Sequence, residues 1–284
     1  MISDHPVSDR QLEREAWRKR RAFRRGSIAV VSTVVVLGLA TFFVLQSPGW
    51  PRVRATYFSW DIAVDVFPDV LRAFWLNIRL FLLIEVLVLI VAVVVAVIRV
   101  VPSPAMAPLK VLAIVYTDVF RGTPTLLVVL LVGFGVPALE LTGLPTSLFW
   151  LGTIALTLSY GAYVAEVIRA GILSIHPTQW ASGRALGLSY AKTLRHVVMP
   201  QALRRVTPPL LNDFVSLQKD TALLSVIGLV EALRQSQIQY QRDFNSTPLV
   251  VSALLFIVAT IGLARFTDYL TIRSLRRENA VVTG

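Results

Sequence analysis

The residues of this chain most able to do chemistry are charges that interrupt apolar runs. Asp118 and Arg121 lie within the run 111–136, Glu166 and Arg169 follow the run 147–165, and Lys219 and Asp220 sit in a broken run over 206–230. A charge inside lipid is costly and faces a bundle interior, a cavity or a partner charge. Asp118 with Arg121, and Glu166 with Arg169, are spaced to share one helix face and to neutralise each other. Two readings stay open for them: ion pairs that lock helices together, which is the simpler, and contact with a solute or gate in a translocation path. Neighbouring Lys219 and Asp220 point in different directions on a helix and need partners on other segments, and their irregular run favours a pore-lining place. Thr123 and Pro124, in the stretch RGTP, join the set of path or gate candidates. A proline inside a span frees a carbonyl that protein or water must satisfy, so a kink toward the interior is expected. Asn212 and Gln218 can hydrogen-bond either a neighbouring helix or a zwitterionic solute.

Other chemistry is not offered. His5, His176 and His196 do not have metal-ligand spacing. The absence of cysteine excludes disulfides, thiolate chemistry and cysteine-ligated metals. No GxxxxGK[ST] stretch occurs, so a P-loop phosphate site is not available. The chain is therefore read as no enzyme, with no metal and no cofactor of its own.

The elements that must position these residues are membrane helices. With 55% hydrophobic and 16% charged residues and a mean hydropathy of +0.66, the chain is too apolar for a soluble protein of its length. Runs at 28–45, 76–98, 111–136, 147–165 and 249–264 approach or exceed the roughly 20 residues that cross a bilayer. A sixth, 206–230, is broken by Pro208 and Pro209. Continuous apolar runs exclude a barrel of alternating strands. The first run follows a hydrophilic stretch and leads into QSPGWP without a small-residue cleavage pattern, which suits a retained anchor. The expected class is all-α integral membrane protein with about six transmembrane helices.

Basic residues set the expected orientation. Eight Lys and Arg lie between Arg10 and Arg25, and the segment 175–205 and the tail are also basic, which puts both termini in the cytoplasm. Segments 47–69 and 137–146 then fall outside, and Trp50, Tyr57, Phe58 and Trp60 suit the outer headgroup level. The net charge of +11 reflects this topology, not nucleic-acid binding. A lipid bilayer is the expected partner and nucleic acid is not.

The segment 175–201 reads as a helical hairpin below the membrane. Pro177 opens a helix, Gly187 permits a turn, and a second helix from Tyr190 ends at Pro200. Leu186, Leu188 and Tyr190 flank the glycine and could form a knob for a partner's groove; an amphipathic connector is the plainer reading.

The stretch PTQWASGRALGLSYAKTLRHVVMPQALRR resembles the coupling loop of permease subunits of ABC importers, especially the polar amino-acid uptake family similar to histidine and glutamine permeases. That loop opens on Glu-Ala-Ala, carries a glycine matched by Gly187, and closes on an element matched by Val197 to Pro200. DVFRGTPTLLVVLLVGFG from Asp118, ALTLSYGAYVAEVIRAGILSI from Ala155 and LQKDTALLSVIGLVEAL from Leu217 are family-like and in order, so the resemblance covers 69–273. It implies a five-helix type I permease core at 70–273, preceded by a tail (1–27), an extra helix (28–46) and an external linker (47–69), and followed by a tail (274–284). It also implies a multi-pass inner or plasma membrane protein that forms the path for an amino acid. Its partners would be a cytoplasmic ABC ATPase dimer holding ATP and Mg, a second permease, identical or homologous, and an extracytoplasmic solute-binding protein. Ala181, Ser182, Gly183, Arg184, Leu186, Gly187, Leu188, Tyr190 and Pro200 would form the ATPase-coupling loop. The opening triplet departs from the family: Ala181 replaces a glutamate that contacts the ATPase, which leaves shape and Arg184 to carry the contact. Gly183 weakens the helix by up to about 1 kcal/mol relative to alanine. A gradient-driven amino-acid carrier is the alternative, and it predicts transport without an ATPase.

Overall fold

The computed structural model describes the backbone of residues 9–282, with side chains for 23–271, Trp17 and Arg21. Two compact units divide at Phe58 and Ser59. The first holds α1 (Asp9–Leu45) and α2 (Trp50–Tyr57). A 23-residue apolar stretch, Phe23–Leu45, is long enough to span. The basic tail and the extra helix, expected as separate pieces, are one helix from Asp9 onward; residues 1–8 lie outside the described residues. Pro51 at the start of α2 loses no intrahelical bond, and Trp50 lies 6.3 Å from the Phe58 ring.

The second unit begins with α3 (Trp60–Val100), a 41-residue helix that absorbs 60–69 of the expected linker. A 3₁₀ turn at Pro104–Met106 leads to α4 (Ala107–Gly122) and α5 (Thr125–Ala138). Next come α6 (Leu148–Leu173), α7 (Pro177–Ala185) and α8 (Tyr190–Thr193). A π-helical turn at Leu194–Val198 joins α9 (Met199–Asp220), and a 3₁₀ segment at Thr221–Ile227 precedes α10 (Ala232–Asp243) and α11 (Thr247–Val282). Among the described residues there is no strand, as lipid requires of a chain that is not a closed barrel.

α6 is the axis of this unit. Its Gly152, Ala155, Ser159, Ala162 and Ala165 are buried, and such small side chains let neighbouring helices approach closely. α3 meets it with a stripe at helical spacing: Leu80, Ile84, Val88, Ala92 and Ala96 are buried, while Leu82, Val86 and Ile90 on the other face are exposed, as lipid-facing residues are. α1, α3, α6 and α11 each hold a stretch long and apolar enough to cross a bilayer, and α4 with α5 makes a fifth if the bent pair is one span and not a re-entrant loop. α9 with its 3₁₀ extension is too polar to join them by composition.

Two expected spans differ in form. The run 111–136 is not one kinked helix but two, bent by 108°. The cause is local: proline forces its predecessor toward extended backbone, and Thr123 (ψ 129°) and Pro124 (ψ 133°) are both extended, so helical bonding stops. Nor is this break packed into the core of the unit, since Gly122 and Pro124 are exposed and Thr123 is half-buried. In 206–230, by contrast, the helix runs through Pro208 and Pro209. The carbonyls that lose their donors belong to Arg204 and Arg205, which are exposed. The irregularity comes later, in the 3₁₀ segment at Thr221–Ile227.

Side-chain bonds place the two ends of the unit. The Ser59 N–H donates to Thr247 Oγ1 at 3.2 Å, which puts the starts of α3 and α11 together. At the other end of α3, the Tyr190 hydroxyl donates to the Val100 carbonyl at 3.3 Å. The α7–α8 hairpin and the α10–α11 junction thus lie at opposite ends of α3.

Candidate functional site

The hairpin is closed by specific local chemistry. His176 caps α7, its Nδ1 accepting from the Thr178 N–H, and Pro177 occupies the first turn, where a missing donor costs nothing. At the other end Gly187 takes φ +80°, with its N–H donating to Arg184 O and the Leu188 N–H donating to Gly183 O. This is a Schellman closure, and only a residue free to adopt left-handed backbone makes it without strain. Ser189 caps α8 by accepting from the Lys192 N–H.

Packing then fixes the hairpin to the bundle. Trp180 of α7 stacks on Tyr190 of α8 with ring centroids 4.9 Å apart. Burial pushes the Tyr190 hydroxyl above its ordinary value, so it stays a neutral donor to α3. Gly183 is buried against Thr193, and a Cβ there would lie 2.6 Å from Thr193 Cγ2. The glycine that looked like a weak point in α7 is the place where α7 and α8 touch. The second helix does not end at Pro200, which lies in the first turn of α9. Proline cannot bond the carbonyl four residues back and crowds it, and the preceding turn widens so that the Met199 N–H reaches Leu194 O. Gln201 Nε2 donates to Val197 O, and Arg205 donates to Ser174 O at the end of α6.

The proposed knob therefore divides. Tyr190 and Gly183 face inward and Leu188 is half-buried, whereas Ala181, Ser182, Arg184, Gly187 and Pro200 are exposed. Leu186 is 81% exposed, a large apolar side chain held out by the turn.

A cluster of charges lies close by. Glu166 Oε2 accepts from Arg99 at 2.6 Å, Glu166 Oε1 accepts from Arg169 at 2.6 Å, and Arg121 stands 3.9 Å away. Arg99 also donates to Thr117 Oγ1, so α3, α4 and α6 are tied at one carboxylate. The Glu166–Arg169 pair forms as the spacing suggests. The Asp118–Arg121 pair does not: Asp118 is exposed and has no ion pair among the described residues, because Arg121 turns to Glu166. Arg99, one residue beyond the apolar run 76–98, is the partner that spacing could not reveal.

The remaining candidates are dispersed. Asp220 accepts from the Tyr160 hydroxyl at 2.8 Å, while Lys219 is exposed. Gln218 Oε1 accepts from Thr260 of α11 at 2.9 Å, and Asn212 is exposed. A buried network midway along α3 went unnoticed in the sequence: Asn77 Nδ2 donates to Glu231 Oε2 and Thr221 Oγ1, and Asn77 Oδ1 accepts from the Ala232 N–H. Burial pushes the Glu231 carboxyl up, against the bonds it accepts from the Leu233 N–H, Asn77 and the Arg234 N–H. Its one sequence trace is a glutamate placed just before α10, where it caps the helix.

The sequence profile of the family described as "Binding-protein-dependent transport system inner membrane component" matches residues 87–275. An arginine transport system permease protein of Bacillus subtilis is 37% identical over 147 residues, covering 51% of this chain and 66% of its own. An L-cystine transport system permease protein of the same organism is 39% identical over 150 residues, covering 53% and 63%. The glutamine transport system permease protein of Escherichia coli K12 is 36% identical over 153 residues, covering 54% and 69%. The match thus spans about two thirds of the length of these relatives, just under it for the first two. A crystal structure of an amino acid ABC transporter with histidines superposes at TM-score 0.68 and 29% identity, covering 76% of this chain and 98% of that one. The MetNI methionine transporter shares the fold alone, at TM-score 0.60 and 17% identity.

Proposed function

This chain belongs to the family of binding-protein-dependent transport system inner membrane components, and from that premise we propose that it is the permease subunit of an ATP-driven amino-acid importer. It is a multi-pass membrane protein, and the amino-acid cargo is supported by the names of its relatives. The observation that carries the reading is the α7–α8 hairpin, packed on the end of α3 with Ala181, Ser182, Arg184 and Leu186 turned outward. A separate ATPase, holding ATP and Mg, would take this hairpin into a groove; each of two permeases, identical or homologous, would offer one. Closure of the ATPase pair would draw the hairpins together and open the path to the outside, where a solute-binding protein delivers the amino acid. ATP supplies the shift because it binds one arrangement of the ATPase better than the other. Both termini would face the ATPase side. The path itself would use Lys219 and the Tyr160–Asp220 pair near the irregular end of α9, with Thr123 and Pro124 at the α4–α5 break.

The test is co-purification of the solubilised chain with its ATPase partner, followed by ATP hydrolysis in lipid with and without the binding protein. A nucleotide-binding partner that is lost when residues 177–200 are altered supports the reading. A chain that transports alone and is abolished by uncouplers overturns it in favour of a gradient-driven carrier.

A further inference from the structure

The Glu166 cluster is unbalanced. Three guanidiniums converge on it from three helices, and a single carboxylate answers them. Arg99 is 13% exposed and Arg169 28%, so neither charge is freely solvated. Help from elsewhere is limited. Asp118, one turn before Arg121, is exposed and forms no ion pair among the described residues, and residues 167–212 contain no Asp or Glu. Arg99 and Arg121 each sit in the last turn of a helix, where the helix dipole offsets about half a charge apiece. After the carboxylate and the two dipoles, about one positive charge is left over.

Its position says what could answer that charge. Arg99 directly precedes Val100, whose carbonyl holds Tyr190 of the hairpin, so the cluster lies where the bundle emerges toward the α7–α8 end. Arg121 is the outermost member, 41% exposed, and bears on Glu166 only at 3.9 Å. It lies immediately before the α4–α5 break, where the chain leaves its helical path. Basic pockets between membrane helices at such a level take anionic headgroups.

We propose that Arg121, with Arg99 and Arg169 behind it, binds a phosphate oxyanion, and that its source is the headgroup of an anionic phospholipid. A phosphodiester carries one negative charge, which matches the excess, and Arg121 has donors free to hold it. Phosphatidylcholine brings its own cation and leaves the excess uncorrected. The site rests on the membrane placement of the chain and not on the importer reading, so it can fail while that reading stands.

The test uses the full chain, solubilised and stripped of lipid, then offered vesicles of phosphatidylglycerol, vesicles of phosphatidylcholine, or inorganic phosphate. Retained lipid is read by native mass spectrometry and stability by thermal unfolding. Phosphatidylglycerol should be retained in preference to phosphatidylcholine and should raise the Tm. Arg121→Gln should lower that preference about fivefold, the worth of one basic residue at an anionic surface. Arg72→Gln, an exposed arginine near the far end of α3, should leave it unchanged. Equal retention of the two lipids by the unaltered chain overturns the proposal, and so does an Arg121→Gln chain that keeps the full preference. Inorganic phosphate that raises the Tm as far as phosphatidylglycerol does, and displaces it, assigns the site to a free anion and overturns the lipid source. Should Arg121→Gln fail to fold, Arg121→Met, uncharged and of similar length, takes its place with the same expected and overturning results.

Discussion

Gly183→Ala tests whether α7 and α8 are held together by contact at this glycine. The new methyl would lie 2.6 Å from Thr193 Cγ2, 3.1 Å from its Oγ1 and 3.3 Å from its Cβ. Carbon atoms rest at about 3.5–4.0 Å, so α7 must back away by about 1 Å. Thr193 cannot move aside easily, being fully buried and stiff at its branched β-carbon. Overpacking of this kind costs about 1–3 kcal/mol, while alanine in place of glycine inside a helix returns about 1 kcal/mol. The net loss is therefore about 0–2 kcal/mol, which the single variant alone does not separate from noise. Thr193→Ala separates the two effects. It removes Cγ2 and Oγ1, and that hydroxyl has no hydrogen-bond partner to lose. In the Thr193→Ala background, Gly183→Ala should change sign and stabilise by about 1 kcal/mol, a coupling of about 1–3 kcal/mol between the two sites. Thermal unfolding of the four chains in detergent gives the cycle, and protease cleavage after Arg184 reports whether the hairpin has loosened. If Gly183→Ala has the same effect in both backgrounds, the close approach is not what fixes the hairpin, and the argument fails.

Gly187→Ala should cost about 1–2 kcal/mol because of the left-handed backbone, and Gly187→Asn should recover much of it; equal unfolding temperatures for the two variants would refute the turn geometry. Leu186→Ala should weaken capture of the ATPase about tenfold, as loss of an apolar anchor does, while the chain's own unfolding temperature holds, since the side chain is 81% exposed; undiminished capture removes Leu186 from the interface. Glu166→Gln leaves three arginines facing a neutral amide and should destabilise by about 2–3 kcal/mol, less than a fully buried pair because the cluster is partly exposed. Adding Arg169→Gln should recover part of that loss in the same thermal assay, and an additive pair would show that the charges do not interact.

Local chemistry was legible and long-range pairing was not. Pro177 as a helix start and Gly187 as a turn could be read because each acts on its own backbone. The Glu166–Arg169 pair was readable because helix spacing dictates it. Arg99 and Glu166 are separated by 67 positions, and Asn77 and Glu231 by 154, so no periodicity joins them. Proline misled in both directions. At Pro124 a kink within one span was expected and a full break of 108° was found, because the residue before proline turns extended and helical bonding stops. At Pro208 and Pro209 a break was expected and the helix continued, with the orphaned carbonyls belonging to the exposed residues Arg204 and Arg205. The 3₁₀ segment that follows carries no breaker until Gly228, and its irregularity became visible only in the backbone.

α3 runs without interruption from Asn77, midway along it, to Val100 at its end. Those positions are about 35 Å apart along the axis, and a helix hardly shortens under load. A push on the hairpin, if the ATPase delivers one, would reach Val100 through Tyr190 and would turn the rod more readily than compress it. A swing of about 8° about the Val100 end carries the Asn77 end about 5 Å sideways, one helical pitch. Because Asn77 grips both the Thr221 hydroxyl and the Glu231 carboxylate, that arc would carry the segment from Thr221 to Glu231 along with it. A stroke applied at the hairpin would thereby be geared to a displacement midway along α3, with no break in the helix between.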